Sequence, residues 1–221
     1  VGQAIGGSLP LAIGVALSPV PMIAVVLVLT SRQARSNSLA FVIGWLTGLA
    51  VVGTIVLTVA GEADASVDGS PAAWVSWAKI VLGAGLLLIA VRRFRGRPRN
   101  GDEAALPRWM ATVDTMKPVA VFGLAAASPK NLLLATSAGA EIAQSGIPTA
   151  QQAVAYAVFA LIASIGVGTP LAIYYAMGRR SQVLLASLKS WLGHHNAVIV
   201  SVLCLVLATK LIGEAIGALT S

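Results

Sequence analysis

Two Ser-Pro pairs limit what this chain can fold into more than any other feature. Ser18-Pro19-Val20-Pro21 and Ser128-Pro129-Lys130-Asn131 each interrupt an apolar run long enough to cross a bilayer. In hydrocarbon the backbone must satisfy its own hydrogen bonds, so such runs are read as helices. Proline removes a donor and clashes with the preceding turn, while Ser followed by Pro is a favoured N-cap and first-residue pair. Each run is therefore expected to break at about half depth, with a new half-helix starting at Pro19 and at Pro129. The N-termini of such half-helices carry unpaired N–H groups and partial positive charge, and Lys130 adds a full charge. An anion site near the bilayer midplane follows. A Ser-Pro pair also fits a plain kink, but recurrence at matched positions in both halves points to a central site.

Composition agrees with a membrane setting. The 221 residues are 57% hydrophobic and 10% charged, with a mean hydropathy of +0.86, against roughly a quarter charged in soluble domains. Six runs are long enough to span, near Leu9 to Thr30, Leu39 to Ala60, Trp74 to Val91, Val119 to Ile142, Ala153 to Met177 and Ala197 to Leu219. Arg32 and Arg35 follow the first; Arg92, Arg93, Arg95, Arg97, Arg99, Arg108 and Lys117 follow the third; Arg179, Arg180 and Lys189 follow the fifth. Glu62, Asp64 and Asp68 follow the second and Glu141 closes the fourth. The positive-inside rule makes the odd-numbered connections cytoplasmic and places both termini outside a plasma membrane. The net charge of +7 thus orients the chain, and no nucleic-acid partner is read from it.

Three spans per half give the halves opposite orientations. The expected fold is an all-α integral membrane protein of six transmembrane helices in two inverted three-helix repeats, residues 1–91 and 119–221, joined by a basic cytoplasmic linker, 92–118, with the first and fourth helices broken. Gly14 to Pro21 (GVALSPVP) aligns with Gly123 to Asn131 (GLAAASPKN). The SPVP span, the following LVLTSRQARSNSLAFVIGWLTG and the ASPKN span together resemble the lysine-exporter (LysE) superfamily, and within it the actinobacterial peptidoglycolipid and sulfolipid addressing family. The resemblance implies a membrane transporter that moves cell-envelope glycolipid. Amino-acid exporters of that superfamily carry Pro-Gly-Pro and Asn-Pro-Lys at these points; Ser18-Pro19-Val20-Pro21 and Ser128-Pro129-Lys130 depart from both, away from an amino-acid substrate.

The candidate substrate-binding residues are Ser18, Pro19, Pro21, Ser128, Pro129, Lys130 and Asn131. An ammonium near the bilayer centre needs a partner or water; Glu141 is one structural partner for Lys130, and Asn131 either contacts substrate or ties its half-helix to a neighbour. Lys210 and Glu214 are secondary candidates, their spacing also fitting an i,i+4 ion pair near the outer interface. Lys79 is expected to snorkel outward. His194 and His195 form no metal-ligand spacing, Cys204 pairs with no second cysteine, and no nucleophile–base arrangement suggests an enzyme. No cofactor is expected. Gly166-Val167-Gly168-Thr169-Pro170 lacks the ending of a nucleotide loop and reads as a flexible, close-packed point, while Gly44 with Gly48, and Gly213 with Gly217, fit helix packing within the chain or dimerisation. Leu184, Leu185, Leu188 and Trp191 recur at helical spacing, predicting an interfacial helix from Ser181 that stops at Gly193; Trp109, Val113 and Met116 form a shorter stripe after Pro107.

Three functions stand open at this point. The leading one is export or transfer of an anionic cell-envelope lipid, with membrane lipid as substrate, envelope-biosynthesis proteins as partners and homo-oligomerisation open. The others are a small-solute exporter for amino acids or other carboxylates, and a non-transporting scaffold for envelope assembly.

Overall fold

The computed structural model describes residues 1–62, 73–96, 112–113 and 115–220, and among these every regular element is helical. Asp64, Asp68, Arg97, Arg99, Pro107, Arg108 and Trp109 lie outside the described residues, as do the side chains of Glu62, Lys79, Pro129, Arg179 and Glu214.

The two Ser-Pro pairs break their helices as the sequence requires. Helix α1 (Gly2–Ala16) and helix α2 (Pro19–Thr30) meet at 47°. Helices α5 (Pro118–Ala126) and α6 (Pro129–Ala143) meet at 46°. The residue before each proline is held extended, Ser18 at φ −70°, ψ 112° and Ser128 at φ −72°, ψ 102°, because the proline ring disfavours the helical region for its predecessor. Proline then opens the new helix, where its missing N–H matters least.

Three unbroken helices are long and apolar enough to cross a membrane by themselves: α3 (Ala34–Glu62), α7 (Thr149–Met177) and α8 (Ser181–Thr220). Counting each bent pair as one span raises the number to five, which fits a multi-pass membrane protein. Helix α4 (Ala73–Arg95) ends on Arg92, Arg93 and Arg95, a cationic end that suits the helix dipole.

Gly193 does not stop the helix expected over Ser181 to Trp191. Helix α8 runs through it to Thr220, because a glycine inside a helix costs only about 1 kcal/mol relative to Ala and no proline follows. A glycine that does end a helix is Gly178, at φ 54°, closing α7 before a short 3-10 turn. The stripe is also divided: Leu185 and Leu192 are buried and Leu188 packs against Val26, Leu29 and Leu185, whereas Leu184 and Trp191 are exposed.

The chain forms two compact units, Val1–Glu62 with Ala104–His194, and Ala63–Glu103 with His195–Ser221. In the first, α2 is the central element, with eight of its 12 residues buried. Around it, α1 packs on α6 and α7, and α3 packs on α5, α6 and α7. Apolar area drives little association between helices in lipid, so close backbone approach matters more. Two such approaches define this unit. A Cβ at Gly48 of α3 would overlap the Ala126 carbonyl at the end of α5, and a Cβ at Gly166 of α7 would overlap the Ala16 carbonyl at the end of α1. Ala16 and Ala126 each stand two residues before a broken Ser-Pro serine, so the two breaks are seated in the same way. Gly44 likewise faces the Phe122 carbonyl, as its spacing predicted. Seven residues before each seating glycine, Phe41 and Phe159 are fully buried.

In the second unit, Gly83 of α4 faces Ile212 and the Ala208 carbonyl of α8, and Cys204 is buried. Gly213 and Gly217 do not make the close packing expected of them. Among the described residues, a Cβ at either would meet nothing within 4 Å.

Candidate functional site

The two breaks meet in space. Lys130, in the first turn of α6, places its Nζ 3.5 Å from Ser18 Oγ at the start of α2 and donates to it. Ser18 is 2% exposed and Lys130 is exposed, so the ammonium stem runs from a buried hydroxyl to the molecular surface. Neither Ser18 nor Ser128 bonds its hydroxyl to its own helix N-terminus. Their hydroxyls are engaged otherwise, Ser18 by Lys130 and Ser128 by the Asn131 Nδ2, which donates over 3.0 Å.

Asn131 belongs to the inward stripe of α6 with Ala135, Ala138 and Ile142, a helical spacing that puts it on the face turned away from solvent. Its amide nitrogen ties the start of α6 together locally, and its Oδ1 is buried without a hydrogen-bond partner among the described residues. A buried amide oxygen left in this state is unfavourable and marks a place where a donor is missing. Glu141 is not the counter-ion for Lys130: it lies about 16 Å further along α6 by the helical rise, with its carboxylate against Gly7 of α1.

Beside Ser128 lies a cavity of about 170 Å³ lined by Val20, Pro21, Ala24, Phe41, Trp45, Leu124, Ala125, Ala127 and Ser128. It has room for a headgroup-sized species, roughly five waters by volume, and is well below the usual size of a pocket enclosing a whole ligand. Two lining residues, Val20 and Ala127, are exposed, so the cavity is open at one side. Trp45 donates from Nε1 to Ser164 Oγ at 3.1 Å and stacks on Phe41 with ring centroids 6.4 Å apart, which fixes the apolar wall facing the break.

Of the residues expected to bind substrate, Pro21 and Ser128 line this cavity, Ser18 and Lys130 are in contact, Asn131 is buried and bonded to Ser128, and Pro19 and Pro129 open the two half-helices. Lys210 is half-buried on α8 in the second unit, one turn before Glu214. Phe41 and Trp45 were not singled out from sequence. Their signal is faint, since two aromatic residues four apart in an apolar helix are ordinary core spacing.

Broken helices whose starts meet at a buried hydroxyl and a cation, beside three helices of membrane-spanning length, fit the class of polytopic, all-helical membrane proteins. The chain belongs to the family of Sap, the sulfolipid-1-addressing protein, whose family model matches residues 9–217. Comparison with curated proteins and with solved structures returned no match.

Proposed function

We propose that this protein moves an anionic envelope lipid, bearing a sulfate or phosphate ester, across the plasma membrane, and that the headgroup binds where the two breaks meet. The observation that carries this reading is the Lys130–Ser18 contact, which joins one residue of each motif. The ammonium, the first-turn amides of α6 and the hydroxyls of Ser18 and Ser128 supply donors to an anion, while the side-open cavity leaves the acyl chains a way to remain outside the protein. The family's name supports lipid as the substrate class. It also supports a role for the chain in lipid addressing or transport.

The same reading takes α4 and the membrane-length part of α8 as the third and sixth crossings, giving six spans in two inverted repeats. Mirrored packing supports it: α1 on α7 answers α5 on α3, and α2 on α7 answers α6 on α3. The basic connections would then face the cytoplasm and both termini the outside. With no nucleotide loop in the sequence, the energy would come from an ion gradient or from coupled assembly outside.

A cavity of about 170 Å³ also suits a small carboxylate, so the test distinguishes the two. Native mass spectrometry of the gently purified protein, with lipid identification, is run for wild type and Lys130→Ala. A defined anionic glycolipid held by wild type and lost from the variant is the expected result. Equal retention of bulk lipid by both sinks the lipid reading in favour of a small-solute exporter.

A further inference from the structure

The geometry points to a second anion site at the far end of α2, where a lipid headgroup docks before it reaches the Lys130 site; the inference rests on the transport reading above. A cavity of about 630 Å³ there is lined by the connection from α2 to α3, with Leu29, Arg32 and Arg35, and by Tyr174 and Gln182 across from it. A neighbouring cavity of about 380 Å³ shares Arg35, Tyr174 and Gln182 with it and adds Tyr175 and Gly178. Among the described residues, no carboxylate lines either one.

The chemistry is divided in a way that fits an amphiphile. Arg32 and Arg35 present guanidinium groups, which pair with sulfate and phosphate oxygens through planar, charge-assisted hydrogen bonds. Gln182 adds a neutral amide. Leu29 and Tyr174 form an apolar floor continuous with the core around Val26 and Leu185, against which the first carbons of a lipid can lie.

The walls are held in place. Ser38 is fully buried and its hydroxyl donates to the Arg35 carbonyl at 3.1 Å. The same hydroxyl is 3.0 Å from Tyr175 Oη at the end of α7. Asn37, also fully buried, donates from Nδ2 to the Met116 carbonyl at 3.1 Å, fixing the start of α3 against the segment that leads into α5. The backbone that carries Arg35 is thus pinned to the far wall before any ligand arrives, which lowers the ordering cost of binding. Helix α2 begins at the break and ends at this cavity, so the two sites are about 18 Å apart along its 12 residues. That is roughly half of a hydrocarbon core. By the positive-inside rule this end faces the cytoplasm, so a headgroup would meet it first during export.

The test is photo-labelling of the full chain in phosphatidylcholine nanodiscs with a phosphatidic acid that carries a diazirine beside its headgroup. Labelled peptides are mapped by mass spectrometry. Label is expected on segments 29–39 and 171–182 in wild type and in Lys130→Ala, and is expected to fall roughly tenfold in Arg32→Gln/Arg35→Gln, since hydrogen bonds to charged groups are the stronger kind. Arg32→Lys/Arg35→Lys, which keeps charge but not the planar fork, is expected to recover part of it. Excess phosphatidylglycerol should compete. Absence of label from both segments overturns the second site, and so does unchanged labelling in the double Gln variant. Competition by millimolar inorganic phosphate as strong as that by phosphatidylglycerol overturns the lipid assignment in favour of a free anion. Label at 29–39 and 171–182, together with no loss around residues 18–24 and 124–131 in Lys130→Ala, would leave this site standing while the central-site reading fails.

Discussion

The breaks at Ser18 and Ser128 share one backbone and differ in chemistry. Their bend angles are 47° and 46°, both serines are extended, and the last residue of each preceding helix rests its carbonyl against a glycine of a partner helix. Beyond the Ser-Pro pair they diverge. The first continues Val20-Pro21, the second Lys130-Asn131. Pro19 and Pro21 both lack an N–H, so the start of α2 offers fewer backbone donors than the start of α6, where only Pro129 does. The first break sets a buried serine among apolar residues; the second carries the charge and the amide. Ser-Pro therefore sets the shape of a break, and the two residues after it set its charge and its supply of donors.

The largest expected effect tests the shared half of that comparison. Leu at Gly166 or at Gly48 would force a side chain into the Ala16 or Ala126 carbonyl, and each is expected to lose about 3 kcal/mol of stability, the upper end for overpacking. Thermal unfolding in detergent measures both; a large loss at one glycine and none at the other would show that the breaks are not seated alike. The next effect tests the half that differs. Lys130→Ala is expected to reduce retention of anionic lipid roughly tenfold, the loss of one charge-assisted contact, whereas Val20→Ala stays within about twofold because it removes only apolar wall. Native mass spectrometry reads both.

Moving the charge is a sharper trial. In the exchange Val20→Lys with Lys130→Val, retention is expected to stay within about threefold of the Lys130→Ala level, since one charge-assisted contact is lost and the new ammonium lies beside a helix start poor in donors. Full recovery would mean that a cation at either break suffices. A smaller effect than that of Lys130→Ala is predicted for Ser18→Ala, about two- to fivefold in the same assay, because a neutral hydroxyl contributes around half a kcal/mol to 1 kcal/mol. No change there would remove Ser18 from the site.

How much of this was legible in the sequence depends on how local the cause is. Proline acts on its immediate neighbours, so the two breaks and their half-helices could be read directly from Pro19 and Pro129. Gly44 and Gly48 carried the close-packing signal for α3, and Gly166 was marked as a close-packed point, but nothing in the sequence says that its partner is Ala16, about 150 residues away. The cavity wall of Phe41 and Trp45 depends on which faces of α2, α3 and α5 meet, and apolar membrane helices give little facial contrast to read. Gly193 and Gly178 look alike in sequence, each near a polar segment. Only the left-handed conformation at Gly178 ends a helix, whereas Gly193 is buried between helical neighbours on both sides. Gly213 and Gly217 have the same spacing, yet among the described residues a Cβ added at either would meet nothing within 4 Å.

The crossed seating of the two breaks carries a consequence for how such a chain can be divided. Ala16 of the N-terminal portion is received by α7, and Ala126 of the C-terminal portion by α3. Each portion therefore holds the socket for the other and none for itself. If the chain were cleaved between α4 and α5, neither fragment would be a complete building block, and the two produced together would be the smallest set able to assemble the core. Loss of Gly48 or of Gly166 would therefore harm the portion whose own sequence is intact.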